Sequence, residues 1–148
     1  MQERFERFTV LVSKISRLIR KIKTEEVKKY QLRSQHVYCV YYVYKSEALT
    51  ATELCELCNE DKGAISRTID FLEEKGLIAI DKEENKRYKL LIRLTEEGKK
   101  IGEEISQRVE EILSKVGNKI TEKERELMYQ GLSQICDDLE KITKYYND

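Results

Sequence analysis

The chain has 148 residues, no proline, and 28 basic against 28 acidic side chains. This length suits one domain with helical extensions, and the abundance of charge without proline predicts a mainly helical protein. No apolar run is long enough to span a membrane, and the first residues lack the layout of a signal peptide, so we expect a cytoplasmic protein without a membrane partner.

Charge is unevenly distributed along the chain. Residues 1–50 carry 11 basic and 5 acidic side chains, whereas residues 51–98 carry 8 and 12. A nucleic-acid-binding domain is usually basic as a whole. The neutral total therefore counts against nucleic-acid binding unless positive groups gather at one surface.

An amphipathic helix is predicted at the start of the chain. Apolar side chains recur at helical spacing from Phe5 to Ile22, with basic residues between them. Nothing in the sequence precedes this apolar stripe for it to pack on. We therefore expect it to contact a second subunit.

The next segments give one ambiguous signal and one clear one. The stretch HVYCVYYVY, residues 36–44, is apolar and rich in β-branched and aromatic residues, so propensity alone favours a buried strand. In TATE, residues 50–53, Thr50 and Glu53 have the spacing of a capping box. It predicts a short helix that ends at Cys58.

A second short helix is predicted from Asp61, as its N-cap, to Lys75, with Gly76 as the left-handed residue that ends it. Its apolar residues share one face, and its polar residues share the other. The apolar face contains Ile65, Ile69 and Leu72, and the polar face contains Lys62, Ser66, Arg67 and Asp70.

Two strands and two helices complete the chain. LIAI (77–80) and YKLLIRL (88–94) suit a hairpin whose connection, DKEENKR, has no apolar residue. A helix from Thr95 carries an apolar stripe to Val116, where Gly117 and Asn118 interrupt it. A second capping box, Thr121 with Glu124, predicts the last helix.

Helix, turn, helix and hairpin is the order of a winged helix-turn-helix. Two motifs add detail: ISRTIDFLEEKGLI (65–78) and RLTEEG (93–98). With them, residues 49–100 resemble the core of the MarR family of bacterial transcription regulators. The expected fold is mainly α with a small β-hairpin wing, a winged helix-turn-helix with a helical dimerisation platform.

The resemblance implies a homodimer that binds double-stranded DNA at a pseudo-palindromic operator, as a repressor. It divides the chain into an N-terminal dimerisation helix and linker (1–34), a DNA-binding domain (35–98) and C-terminal dimerisation helices (99–148). It also implies that residues 36–44 form a buried helix. The expected interface side chains are Phe5, Phe8, Val12, Ile15, Ile135, Leu139 and Ile142.

In such a protein the recognition helix, about 61–75, enters the major groove, and the wing, about 81–88, contacts the adjacent backbone or minor groove. The wing departs from the family pattern, because Lys86-Arg87-Tyr88 stands where relatives commonly have Asp-Arg-Arg. Without the acidic residue we expect Arg87 to contact phosphate rather than read the minor groove. The expected DNA-binding residues are Thr52, Lys62, Gly63, Ser66, Arg67, Asp70, Lys82, Lys86, Arg87 and Lys89.

Many members of the family bind small aromatic or anionic effectors between the platform and the DNA-binding domain. The corresponding residues here are Arg17, Arg20, His36, Tyr38 and Tyr42. The tyrosines of this region suit an apolar core better than a ligand-binding site.

The cysteines allow several interpretations. Cys55 and Cys58, in CELC, have a spacing that can chelate a metal or form a disulfide, but they share a helical face on which cysteine also serves as a small hydrophobe. We expect reduced core cysteines, no metal and no cofactor. Some family members sense oxidants through a lone cysteine near the platform, which makes Cys39 a candidate.

An enzyme is not expected, because the sequence has no phosphate-binding loop, nucleophile motif or paired catalytic carboxylates. Two alternatives to an effector-controlled DNA-binding regulator stay open. One is a helical protein-interaction module whose winged domain does not bind DNA. The other is a thiol-responsive regulator.

Overall fold

The computed structural model describes residues 2–81 and 90–146, with side chains described from residue 6 onward. Its contacts divide the chain into two units, residues 1–108 and 109–148. The helices and strands are α1 (Gln2–Val27), a 3-10 turn (Lys28–Tyr30), α2 (Ser34–Ser46), α3 (Ala51–Cys58), α4 (Lys62–Glu74), β1 (Ile78–Asp81), β2 (Leu91–Leu94), α5 (Glu96–Leu113) and α6 (Glu122–Lys144). The predicted mainly helical class with one small hairpin is confirmed.

The strand that propensity favours at residues 36–44 does not form, because this segment is part of α2. Val37, Cys39, Val40 and Val43 are buried, so packing against the neighbouring elements outweighs the β propensity of single residues. The helix that the family resemblance implies here is confirmed.

Local capping signals predicted the starts of α3 and α4 correctly. Thr50 Oγ1 accepts from the Glu53 N–H at 3.2 Å, and Glu53 Oε2 accepts from the Thr50 N–H at 2.8 Å. At α4, Asp61 Oδ1 accepts from the Ala64 N–H at 2.8 Å. Gly76 has φ +71°, as expected of the residue that ends α4.

Both predicted hairpin strands form: β1 has the predicted length but is shifted by one residue, and β2 begins at Leu91 within the predicted range 88–94. β1 and β2 are antiparallel, with Ile78 opposite Leu94 and Ile80 opposite Ile92. Leu49, just before α3, exchanges two backbone hydrogen bonds with Ile92, so the hairpin is joined to the start of the helix pair. The predicted wing tip lies outside the described residues.

The core of the first unit lies where α2, α3 and α4 meet. Val40, Leu54, Ile65 and Leu72 are completely buried there. Helix α1 is connected to α5 by Arg108, whose Nε and Nη2 donate to the Glu26 carboxylate at 2.7 and 2.9 Å. The hydrogen bond from Arg108 is the main reason that the pKa of Glu26 is lowered.

Helix α5 ends earlier than its apolar stripe predicts. It stops at Leu113, and the backbone then turns, with the Val116 N–H donating to the Leu113 carbonyl and Gly117 at φ +70°. The left-handed conformation of Gly117 favours the end of a helix, so the apolar stripe is not continued to Val116, which is exposed.

The capping box of α6 is confirmed, since Thr121 accepts from the Glu124 N–H and Glu124 accepts from the Thr121 N–H. Within the described residues, no helix is long and apolar enough to cross a membrane.

Candidate nucleic-acid interface

Helix α4 presents the predicted polar face to solvent. Lys62, Ser66, Arg67 and Asp70 are exposed, whereas its opposite face is buried through Ile65, Thr68, Ile69 and Leu72. The apolar face therefore fixes the orientation of the helix, and the side chains that could touch a ligand are free of the core.

The first turn of α4 is crowded around Gly63. A Cβ atom at this position would lie 3.3 Å from Asp61 Oδ1 and 3.4 Å from Arg67 Nη1. The Arg67 guanidinium thus lies close to the backbone of the first turn, beside the capping carboxylate. An arginine that reaches over the helix N-terminus is suitably placed for base edges or phosphate in a groove.

A cleft of about 450 Å³ lies beside this face, between α3, α4 and the hairpin. It brings together four of the predicted DNA-binding residues over an apolar floor. The polar members are Thr52, Lys62, Ser66 and Asp70, and the apolar side is formed by Ala51, Cys55, Ile69, Ile80, Leu90 and Ile92.

Charge on the described part of this surface is mixed. Lys62 and Arg67 lie within the same stretch as the exposed Glu60, Asp61 and Asp70. At the base of the wing, Arg93 Nε donates to Asp81 Oδ2 at 2.6 Å, so its charge is compensated. The predicted wing contacts Lys82, Lys86, Arg87 and Lys89 lie outside the described residues and stay predictions.

His36, one of the predicted effector-binding residues, is occupied by structural contacts. Its ring stacks on Phe71 with 4.1 Å between centroids, and its Nδ1 accepts from the Arg33 N–H at 3.3 Å. Burial, and secondarily the charge of Arg33, lower the pKa of His36. The imidazole therefore caps α2 and packs it against α4.

The other predicted effector-binding residues are dispersed. Arg17 and Arg20 are exposed on α1, and Tyr38 and Tyr42 are half-buried on α2. Sequence reasoning missed Lys23, whose Nζ lies 3.9 Å from the centroid of the Tyr38 ring. No pattern in the sequence connects Lys23 with Tyr38, because the contact depends on how α1 crosses α2.

Three buried polar atoms in this region lack a hydrogen-bond partner within the described residues: Tyr30 OH, Gln35 Nε2 and Tyr38 OH. A buried polar atom without a partner costs about 1–3 kcal/mol. Each of these groups is thus available to a water molecule, a ligand or another chain.

The predicted dimer interface residues are all at the surface where they are described. Val12, Ile15, Ile135, Leu139 and Ile142 are exposed. Phe8 is half-buried, and the Phe5 side chain lies outside the described part. Helix α6 shows this most clearly, because none of its residues is buried. Its large apolar side chains from Leu127 to Ile142 are between 36% and 58% exposed.

The four cysteines are free thiols, as expected, but Cys39 alone among them is buried. Cys55 and Cys58 are half-buried, and Cys136 is exposed. The Sγ atoms of Cys39 and Cys58 are 3.7 Å apart. Within the described residues, no three potential ligands are grouped so that they could hold a metal ion.

Comparisons with known proteins agree with this geometry. Residues 37–113, just over half of the chain, match the model of a family described as winged helix DNA-binding domain. No curated protein is significantly similar in sequence.

Solved structures share the fold at low sequence identity. NMB1585, a MarR family regulator from Neisseria meningitidis, has a TM-score of 0.79 at 22% identity, covering 96% of this chain and 99% of its own. A putative MarR family transcriptional regulator from Listeria monocytogenes, complexed with 26mer DNA, has a TM-score of 0.75 at 21% identity, covering 86% and 85%. NadR in complex with 4-hydroxyphenylacetate has a TM-score of 0.74 at 16% identity, covering 86% and 91%.

Proposed function

The chain belongs to the family of winged helix DNA-binding domains and has the fold of MarR family regulators, and from this premise we propose that it is a sequence-specific DNA-binding transcription repressor. The observation that carries the proposal is the exposed face of α4. Lys62, Ser66 and Arg67 are free of the core on a helix whose opposite face is fully packed. Family and fold are those of regulators rather than enzymes.

In this proposal α4 is the recognition helix. Its N-terminal half enters the major groove, where Arg67 reads a base edge and Ser66 and Lys62 contact bases or phosphates. The wing, through Lys82, Lys86, Arg87 and Lys89, contacts the neighbouring phosphates. The described α4 surface has no excess of positive charge, and Glu83 and Glu84 oppose the basic side chains of the wing. Attraction to phosphate therefore depends on the individual contacts of these basic side chains, and affinity falls as salt is raised.

We further propose that the active form is a homodimer. A helix in a folded protein derives most of its stability from packing an apolar face, yet α6 buries none of its residues within the chain. The apolar stripe of α1 is likewise exposed. A second copy that covers both stripes would place two recognition helices on half-sites about one helical turn apart.

Control by a small aromatic or anionic effector is the finer part of the proposal. Its support is the buried Tyr38 hydroxyl, which has no hydrogen-bond partner within the described residues, and the Lys23 ammonium group over the ring of the same tyrosine, together with the ligand in the NadR structure. Lys23 would supply the positive charge that attracts an anion, and Tyr38 would donate a hydrogen bond. An effector would act only if it binds the two arrangements of the dimer with different affinity.

The second candidate function is a protein-interaction module. It is favoured by one observation, the mixed charge of the α4 surface, where Glu60, Asp61 and Asp70 accompany Lys62 and Arg67. Such a surface suits a charged protein partner as well as it suits DNA.

Selection of bound duplexes from a random DNA pool, at about 150 mM salt where non-specific binding is weak, tests the proposal. The wild-type chain is expected to enrich a palindrome that the variant Arg67→Ala does not enrich. If a folded wild-type dimer enriches no sequence, the protein-interaction module becomes the better account.

A further inference from the structure

Two cysteines from different helices meet in the core of the first unit. Cys39 Sγ, on α2, lies 3.7 Å from Cys58 Sγ, at the end of α3. Cys39 is only 1% exposed, whereas Cys58 is half-buried. A solvent-borne reagent can therefore reach Cys58 and cannot easily reach Cys39.

The surroundings of the two thiols make them chemically unequal. The hydrogen bond from Cys39 lowers the pKa of Cys58, and the nearby Lys23 ammonium lowers it further, against the opposing effects of burial and Glu60. The same hydrogen bond and burial raise the pKa of Cys39. Cys58 is thus the thiol of the pair that ionises more readily and becomes the nucleophile, and Cys39 is the thiol that stabilises its anion.

We propose that Cys39 and Cys58 form a reversible disulfide between α2 and α3 when the protein meets hydrogen peroxide. The pair has a half-buried member that can attack the peroxide and a buried member that can resolve the product, and the two sulfur atoms are already in van der Waals contact. Redox-sensing cysteines commonly combine an accessible thiolate with a neighbouring resolving cysteine.

The chemistry proceeds in two balanced steps. The Cys58 thiolate attacks one oxygen of hydrogen peroxide, the O–O bond breaks, and the departing hydroxide takes a proton from solvent to become water, leaving Cys58 as a sulfenic acid. The Cys39 sulfur then attacks the Cys58 sulfur. The S–S bond forms, the S–O bond breaks, and the hydroxyl leaves as water with the proton of Cys39.

The local structure permits the required movement. A disulfide has an S–S length of about 2.05 Å, so the sulfur atoms must approach by about 1.7 Å. Cys58 is the last residue of α3, and Asn59 after it has φ +51°. The displacement can therefore be taken up in the last turn of α3 and in the connection to α4.

The bond would act on the recognition helix. Residues 59–61 connect Cys58 to α4, and Asp61 caps that helix. A shift of the end of α3 therefore alters the start of α4, where Lys62 and Arg67 lie. Formation of the disulfide is independent of the proposed function, but the expected loss of DNA affinity on oxidation depends on it.

The first test uses the full chain with Cys55→Ser and Cys136→Ser, so that only the pair is left. Treatment with hydrogen peroxide is expected to remove both free thiols. A non-reducing digest should then contain a peptide in which Cys39 is linked to Cys58, and dithiothreitol should restore both thiols. The proposal is overturned if Cys58 is oxidised to the sulfinic acid while Cys39 stays free, or if neither thiol reacts.

A matched variant separates the roles of the two cysteines. Adding Cys39→Ser to the same background is expected to stop the peroxide reaction at a Cys58 sulfenic acid, which dimedone traps. If circular dichroism shows that the serine variant is unfolded, Cys39→Ala is used in its place. In the wild-type chain the main cross-link is expected between Cys39 and Cys58. A main cross-link through Cys55 or Cys136 would contradict the assignment.

DNA binding is measured separately on the reduced and oxidised chain. If the oxidised chain contains the disulfide and binds its duplex as tightly as the reduced chain, the proposed disulfide is confirmed and its proposed effect on DNA binding is refuted. A chain that binds no duplex in either state would instead count against the proposed function.

Discussion

The Thr95 hydroxyl donates a 2.6 Å hydrogen bond to the carbonyl oxygen of Gly76. Thr95 Oγ1 also accepts from the Gly98 N–H at 3.1 Å, and the Thr95 N–H donates to the Leu77 carbonyl at 3.1 Å. One residue thus connects the end of α4, the start of β1 and the first turn of α5. The two motifs that carry the family resemblance, around Gly76 and around Thr95, contact each other through this residue.

Replacing Thr95 by valine keeps the shape of the side chain and removes these hydroxyl bonds. We expect the free energy of unfolding to fall by about 1–2 kcal/mol, the usual cost of losing an N-cap. Urea denaturation followed by circular dichroism measures it. Thr143→Val is the control, since the Thr143 hydroxyl donates to the Glu140 carbonyl within the same exposed helix. Equal effects of the two changes would contradict the role of Thr95.

Gly98 is predicted to tolerate no side chain. An added Cβ would lie 2.0 Å from the carbonyl oxygen of Leu77, and a backbone atom cannot move aside as a side chain can. We expect Gly98→Ala to lower the free energy of unfolding by about 3 kcal/mol, visible as a lower melting temperature.

Ser133→Ala is the control for Gly98→Ala, because Ser133 is exposed on the polar face of α6. There alanine should leave stability unchanged or raise it by less than about 1 kcal/mol, as its helix propensity is higher. If Gly98→Ala is as stable as Ser133→Ala, the close approach of α5 to the start of β1 is wrong.

His36 should make stability depend on pH. Its pKa is lowered in the folded chain by burial, so the unfolded chain takes up a proton first as pH falls through about 6.5, its unfolded value. The folded state then loses stability below that pH and retains it above. His36 is the single histidine of the sequence, which makes the assignment unambiguous.

The measurement compares urea midpoints at pH 7.5 and 5.5 for the wild type and His36→Gln. Glutamine keeps a side chain that can accept the Arg33 N–H, as in a capping box, but cannot become protonated. The wild type should lose more stability between the two pH values than the variant loses. Equal losses would mean that the pKa of His36 is not lowered.

The apolar stripe of α6 should control assembly. Leu139→Glu places a charge among exposed apolar side chains that we assign to a subunit interface, and a buried unpaired charge costs several kcal/mol. We expect sedimentation velocity to show monomers, with reduced helical content. Ser133→Glu, on the opposite polar face of α6, should stay dimeric, and a wild-type chain that sediments as a monomer would refute the dimer.

Structural features that depend on residues close in sequence could be predicted from the sequence. Features that depend on how the helices pack against one another could not. The capping residues Thr50, Asp61 and Thr121 act within one turn, so their sequence signals were sufficient. Propensity alone predicted a strand at residues 36–44. It failed there because the burial of these residues on α2 depends on the packing of the whole core.

The candidate site shows the same division. The polar face of α4 follows from helical periodicity alone, and it is exposed as predicted. The contact of Cys39 with Cys58 and of Lys23 with Tyr38 depends on the angles at which α1, α2 and α3 cross. Spacing in the sequence could relate Cys58 only to Cys55, because it compares residues on the same helix.

The central claim, that α4 reads DNA sequence through Arg67, is tested most directly by the affinity ratio between a selected duplex and a scrambled one. For Arg67→Ala the ratio should fall by about 10- to 100-fold, the loss of about 1–3 kcal/mol for one base-reading arginine. Lys75→Ala, at the far end of α4, should leave it within about threefold. If Arg67→Ala keeps the wild-type ratio while remaining a folded dimer, α4 is not the recognition helix that we propose.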